Sequence, residues 1–240
     1  ASAAEVVVYS ARNDQLIKVI EPVDGPPPVT TFAYDAQGNR ISMTAPAVPG
    51  YPGGRTVTTT FTTTTTAAVG GGTTPAGLPV TTTSVGGARQ TTEYNAAGDA
   101  VRVTDAVGLV TEFSFDALGR TTAKKVISTA FPGGQVTTYR YDADGTLVSS
   151  TEPPVTDRVT GAVHTLQTTD VLDADGNILS RTQADLTGGD SHRRTSSAYN
   201  DHGQMIKSVD PAGVVTLYGY DAYSRQNKVV TCDSNPDPGD

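Results

Sequence analysis

The feature that most constrains this chain is a short phrase written several times: an aromatic residue, Asp or Asn, two free positions, then Gly. It stands at Tyr34-Asp35…Gly38, Tyr94-Asn95…Gly98, Phe115-Asp116…Gly119, Tyr141-Asp142…Gly145 and Tyr199-Asn200…Gly203. Leu172-Asp173…Gly176 replaces the aromatic, and Tyr220-Asp221…Ser224 replaces the glycine. A worn copy opens the chain at Tyr9, with Asn13 in the glycine's place, because asparagine is the next best residue at positive φ. Copies start 21 to 31 residues apart, except between Tyr34 and Tyr94, where one reads as eroded.

The spacing describes a hairpin. Asp or Asn folds its side chain onto the backbone two residues on, and Gly takes the left-handed position that closes the turn. Three residues past the glycine stand Ile41, Val101, Thr122, Val148, Leu179, Ile206 and Asn227, five of them aliphatic. One step further, Ser42, Arg102, Ala123, Ser149, Ser180, Lys207 and Lys228 are small or polar. That is the alternation of a strand leaving a turn, and it predicts an inward apolar layer on which the aromatic also packs.

A longer match supports tandem repetition. Residues 94–120 align without gaps to residues 199–225, with ten of 27 positions identical. Between the two turns of each half lies a second signature, Asp105-Ala106-Val107-Gly108-Leu109-Val110-Thr111, answered by Asp210-Pro211-Ala212-Gly213-Val214-Val215-Thr216. Each half therefore reads turn, strand, turn, strand, turn.

Composition agrees. Thr (38), Gly (25) and Pro (15) replace the usual helix formers, and branched Thr favours strands while Gly and Pro punctuate turns. No dozen residues show 3.6 periodicity, so the class is all-β, as tandem antiparallel β-hairpin repeats. The net charge of −8 argues against a nucleic-acid partner, which needs clustered Lys and Arg; His192-Arg193-Arg194 is too short a cluster. No apolar run approaches the ~20 residues of a membrane-spanning helix. Ala1-Ser2-Ala3-Ala4 lacks the pattern of a signal peptide, which leaves open a removed leader or a chain cut from a longer one.

These residues resemble a known family. Tyr-Asp-x-x-Gly-Arg, preceded by Asp-x-x-Gly-x-Val-Thr-x-Tyr-x-Tyr, is similar to the YD repeat of RHS (rearrangement hot spot) proteins, found in bacterial toxin shells, wall-associated proteins and teneurins. Residues 105–120 carry the nearest likeness, and the resemblance runs from about Tyr9 to Val230 with a weak middle. It implies long strands spiralling into a hollow shell that commonly encloses a toxic C-terminal domain. The chain departs from the family at its end: the tail from Cys232 lacks the Asp-Pro-containing core signature with its autoproteolytic aspartates, and no toxin domain follows.

Outside the phrases, residues 24–28 and 46–54 are Pro/Gly loops. Thr56–Val69 reads as a strand with threonine hydroxyl ladders. The section 47–90 is a weak, Thr/Gly-rich part of one array over residues 1–240, with units near 9, 34, 94, 115, 141, 172, 199 and 220. Chains of this kind grow by addition rather than by closed domains.

Several stretches invite a chemical reading. Asp-Ala-Asp-Gly at residues 142–145 and 173–176 suggests calcium, but neither copy has the third ligand or the bidentate Glu, so both read as turns. A zinc site needs His164, His192 and His202 to converge. No Gly-x-Ser-x-Gly elbow exists, and Thr187–Ser191 reads as a loop. Residues 69–77 lack the Lys of a phosphate-binding loop. The single Cys232 excludes an internal disulfide and has no neighbouring His to activate it. No catalytic, cofactor or metal residue is therefore assigned.

The expectation is a non-catalytic scaffold segment of a secreted or cell-surface protein, part of a shell wall around a toxin or other cargo. Its partners are further repeats of its parent chain or other copies of itself, with a glycan or cell-surface partner left open. The alternative is a self-associating extracellular filament or adhesin.

Overall fold

In the computed structural model, which describes residues 5–11, 13–23 and 27–232, every regular element is a β-strand. The leader reading at Ala1–Ala4, most of the loop at 24–28 and the tail beyond Cys232 lie outside the described residues. The chain divides into two units. One runs to Ser114 and adds Val126–Gly134; the other holds Phe115–Lys125 and continues from Gln135.

The first unit is a meander. Its strands are β1 (Val6–Tyr9), β2 (Leu16–Ile20), β3 (Val29–Tyr34), β4 (Arg40–Ala45) and β5 (Arg55–Phe61). They continue as β6 (Pro79–Thr83), β7 (Arg89–Tyr94), β8 (Ala100–Thr104) and β9 (Val110–Phe115), each antiparallel to the one before. The division between the units falls at the end of β9 and inside β10 (Thr121–Ile127).

The second unit repeats the plan with β11 (Gln135–Tyr141) and β12 (Leu147–Thr151). A small hairpin, β13 (Val155–Thr156) and β14 (Val163–His164), interrupts the link to β15 (Leu166–Leu172). Then follow β16 (Ile178–Asp185), β17 (Arg193–Tyr199), β18 (Met205–Val209), β19 (Val215–Tyr220) and β20 (Gln226–Cys232), again pairing in order.

Each repeated phrase closes a hairpin by one recipe. In residues 35–39, the Asp35 amide donates to the Asn39 carbonyl (3.0 Å) and the Gly38 amide to the Asp35 carbonyl (3.2 Å). The Asp35 carboxylate accepts the amides of Gln37 (3.0 Å) and Asn39 (2.8 Å). The same two backbone bonds recur in turns beginning at Asn95, Asp116, Asp142, Asp173, Asn200 and Asp221, and at the opposite strand ends at Asp105 and Asp210. Gly145 and Gly176 sit at φ +89° and +84°, as a turn of this type requires. Ser224 takes the same region at φ +64° without glycine's freedom.

The copy missing between Tyr34 and Tyr94 is present. Phe61 ends β5, the Thr62 amide donates to the Leu78 carbonyl (2.8 Å), and the Gly77 amide donates to the Thr62 carbonyl (3.0 Å). The Thr62 hydroxyl accepts the Leu78 amide (2.9 Å), as the aspartates do elsewhere. Threonine replaces Asp, and residues 63–76 replace the two free positions. The strand read over Thr56–Val69 therefore ends at Phe61. Its hydroxyl ladder is real on that part: Thr44 and Thr56 lie 2.9 Å apart, and Thr59 faces Thr82.

At the first copy, Asp14 rather than Asn13 is the left-handed residue (φ +52°). That turn runs from Ser10 to Gln15, one residue longer than the others, which moves the special position along by one.

The predicted inward layer is a correction. The aliphatic positions are bulge residues: Tyr34 pairs with Arg40 but Ala33 with Ser42, leaving Ile41 without a partner. Val101, Val148, Leu179 and Ile206 occupy the same position. A bulge re-aims its side chain and breaks the two-residue alternation. Ile41, Leu179 and Ile206 are exposed, and among the described hydrophobic residues Tyr94 alone is buried. Within each unit the strands form one layer with no second layer covering it, so neither face acquires a core.

Candidate functional site

Two places in this layer do more than continue it: the junction between consecutive repeats, and one cluster of ionisable side chains.

At the junction, the tyrosine of one repeat reaches back to the repeat before. The hydroxyls of Tyr34, Tyr94, Tyr141, Tyr199 and Tyr220 donate to the carbonyls of Leu16 (2.8 Å), Pro79 (2.7 Å), Thr121 (2.9 Å), Ile178 (3.2 Å) and Met205 (2.8 Å). Each acceptor is the first residue of the strand that leaves the previous turn. The bulge beside each tyrosine sets this reach, because the register shift falls between the aromatic and the residue preceding it.

The residue after the glycine locks each turn from the side. Arg120 and Arg225 donate to the carboxylates of Asp116 (2.7 Å) and Asp221 (2.8 Å). Asn39 and Asn177 do the same for Asp35 (2.9 Å) and Asp173 (3.0 Å). In the turn at 95–99 the chemistry is exchanged, with Asn95 donating to Asp99 (2.9 Å). Three of these positions also bridge to the next turn: Gln15 to the Gly38 carbonyl (3.2 Å), Arg120 to that of Asp142 (3.3 Å), and Gln204 to that of Ser224 (3.3 Å). Arg120 further lies over the Tyr141 ring, 4.8 Å from its centre.

The candidates singled out in the sequence land as follows. Asp142 and Asp173 spend their inner oxygens on their own turns, accepting the Thr146 amide (2.8 Å) and the Asp175 and Asn177 amides (3.0 and 2.8 Å). His202 lies in the turn at 200–204, its amide bound to Asn200 (3.0 Å). Cys232 is an exposed free thiol. His164 and His192 line one recess, together with Asp185, Asp190 and Arg193.

That recess holds the ionisable cluster. His164, the last residue of β14, has its Nδ1 2.8 Å from Asp185 and 3.6 Å from Asp190. Asp185 closes β16 and accepts the amides of Thr165 (2.9 Å) and Thr187 (3.2 Å) on its other oxygen. Those amide bonds, that of Gly188 foremost, hold its carboxyl far below the usual carboxylate range. The hydrogen bond to Asp185 raises the His164 imidazole above its ordinary value, with Asp190 and Asp157 adding to it. A side chain at Gly188 would collide with His164 and Asp185, so the loop passes over the pair only as glycine.

The sequence singles out His164 but neither aspartate as its neighbour. The signal lies in the register: Leu166 faces Asp185 across β15 and β16, which brings the end of β14 to the end of β16.

Known proteins share these features. The RHS Repeat family model matches residues 94–126 and 199–233. Double-stranded DNA deaminase toxin A of Burkholderia cenocepacia (strain H111) is 29% identical over 155 residues, covering 58% of this chain and 8% of that protein. The crystal structure of TcdB2-TccC3 without its hypervariable C-terminal region has a similar fold, with a TM-score of 0.63 and 16% identity over 95% of this chain. The chain spans 12% of that one's length.

Proposed function

We propose, from the premise that this is an RHS-repeat chain, that it is a non-catalytic wall segment of a longer, secreted protein whose repeats enclose a toxin or other cargo. The observation that carries this reading is the tyrosine junction. It joins each repeat only to the one before, at 2.7 to 3.2 Å in five copies, so the layer extends by addition. A layer without its own core suits a wall, whose two faces meet different surroundings. The division into two units is compatible with one array, because the phrase and its turn are the same in both. The toxin in the name of the Burkholderia cenocepacia relative, and the small share of it that this chain spans, support a role beside a toxic partner rather than as one.

Limited proteolysis of the longer source protein tests this. If the repeats enclose cargo, a segment expressed with them resists added protease until the wall is opened by denaturant. A segment cleaved at once under native conditions contradicts enclosure.

A further inference from the structure

We infer that His164, Asp185 and Asp190 form a structural zinc site that clips the β13–β14 hairpin to the loop between β16 and β17. This goes beyond the wall function and does not depend on it.

The three side chains are the group, among the described residues, that presents His and carboxylate ligand atoms all within 4.8 Å of one another. In a tetrahedral zinc site with bonds of about 2.1 Å, neighbouring ligand atoms lie about 3.4 Å apart. The observed separations from His164 Nδ1, 2.8 Å to Asp185 and 3.6 Å to Asp190, bracket that value. A shift of about half an ångström at Asp185 admits the ion. Asp185 is already anchored through its other oxygen to the amides of Thr165 and Thr187, which leaves one oxygen for the metal and fixes its direction. Asp190 is exposed and free to close on the ion, and His192 lines the same recess as a candidate fourth ligand, with water as the alternative.

The donor set selects the ion. Calcium takes six to eight oxygens and magnesium an octahedron of them, whereas one imidazole nitrogen with two carboxylates suits zinc. Zinc takes the place of the proton now shared between His164 and Asp185. Binding therefore releases that proton and weakens as the imidazole becomes protonated. The charged groups around it are Asp157, Asp185, Asp190, His192 and Arg193, of which Arg193 alone carries a fixed positive charge.

Isothermal titration of the full 240-residue chain with zinc alone decides the matter, with Cys232→Ser throughout to remove the exposed thiol. The expected result is one zinc per chain, unaffected by excess magnesium, with about one proton released when buffers of different ionisation enthalpy are compared. His164→Gln and Asp190→Asn should each weaken binding by at least about tenfold. The Asp190 side chain is exposed and reaches only His164, so its variant stays folded even where the histidine variant loosens the hairpin. No saturable binding, or binding unchanged by Asp190→Asn, overturns the site.

Discussion

The hydroxyl of Tyr141 donates to the carbonyl of Thr121 across 2.9 Å, and so ties one repeat to the first strand residue of the repeat before it. The aromatic of the repeated phrase is thus a connector between repeats, while Asp and Gly build the turn within one. Removing the hydroxyl should cost the net worth of one hydrogen bond, about 0.5–1.5 kcal/mol. Tyr94→Phe should cost more than Tyr220→Phe, because Tyr94 is buried and its orphaned acceptor, the Pro79 carbonyl, is harder for water to reach. Urea unfolding of the single variants checks both statements; equal, near-zero effects would show the connector to be packing alone.

The turn glycines should be costly to replace only where φ is positive. Gly145→Ala and Gly176→Ala, at +89° and +84°, are expected to lose about 1 kcal/mol or more. A methyl group at Gly133 would meet no atom within 4 Å, and its φ lies outside the left-handed region, so Gly133→Ala serves as the neutral control. The converse change, Ser224→Gly, should stabilise by relieving a left-handed serine. Thermal melts of the four variants are sufficient.

How much of this is legible in the sequence differs by element. The turn recipe is, because Asp, Gly and their spacing are local chemistry. The copy at Phe61 is not, since Thr62 does the aspartate's work and residues 63–76 stretch the gap to Gly77 beyond any fixed spacing. The apolar layer misleads because a simple alternation runs through Ile41 and Leu179, where a bulge resets the phase. His164 and Asp185 are distant in sequence and meet only through the register of β15 on β16. A long-range pairing leaves no local trace.

Calcium should not stabilise the Asp-Ala-Asp-Gly turns. Asp142 and Asp173 already satisfy the amides their turns present, and Asp173 is further locked by Asn177. Adding calcium to metal-free protein is expected to leave the melting temperature unchanged. Asp173→Asn, which keeps the accepting oxygen, should cost less than Asp173→Ala. A calcium-dependent rise abolished by Asp173→Ala would contradict the turn reading.

Stability should fall on both sides of a window between about pH 4 and pH 6.5, the ordinary carboxylate and imidazole values. Asp35, Asp116, Asp173 and Asp221 are depressed by hydrogen bonds from, respectively, the Asn39 side chain, the Arg120 amide, the Asn177 side chain and the Arg225 amide. Depressed acids stabilise above their unfolded value, and that contribution is lost as pH falls through the folded one. His164 is raised, so its contribution is complete below the unfolded imidazole value and disappears as pH rises through the folded one. Chemical denaturation across pH should show a broad acid loss common to both units. The alkaline step should be confined to the His164 region and absent in His164→Gln.

The isolated chain should associate. All seven residues of β20 are exposed, and among them Val229 and Val230 present an apolar edge strand whose outer side has no neighbour among the described strands. Light scattering is expected to show concentration-dependent growth, and a charged substitution such as Val229→Lys should suppress it.

The wall reading itself is met most directly by electron cryomicroscopy of the longer source protein. The account predicts a hollow particle whose wall is one strand layer thick, with rows of turns like those at 35–39 and 173–177 running along it. A filament in which this chain repeats along the axis, or a solid particle with a second layer packed on the strands, would contradict it.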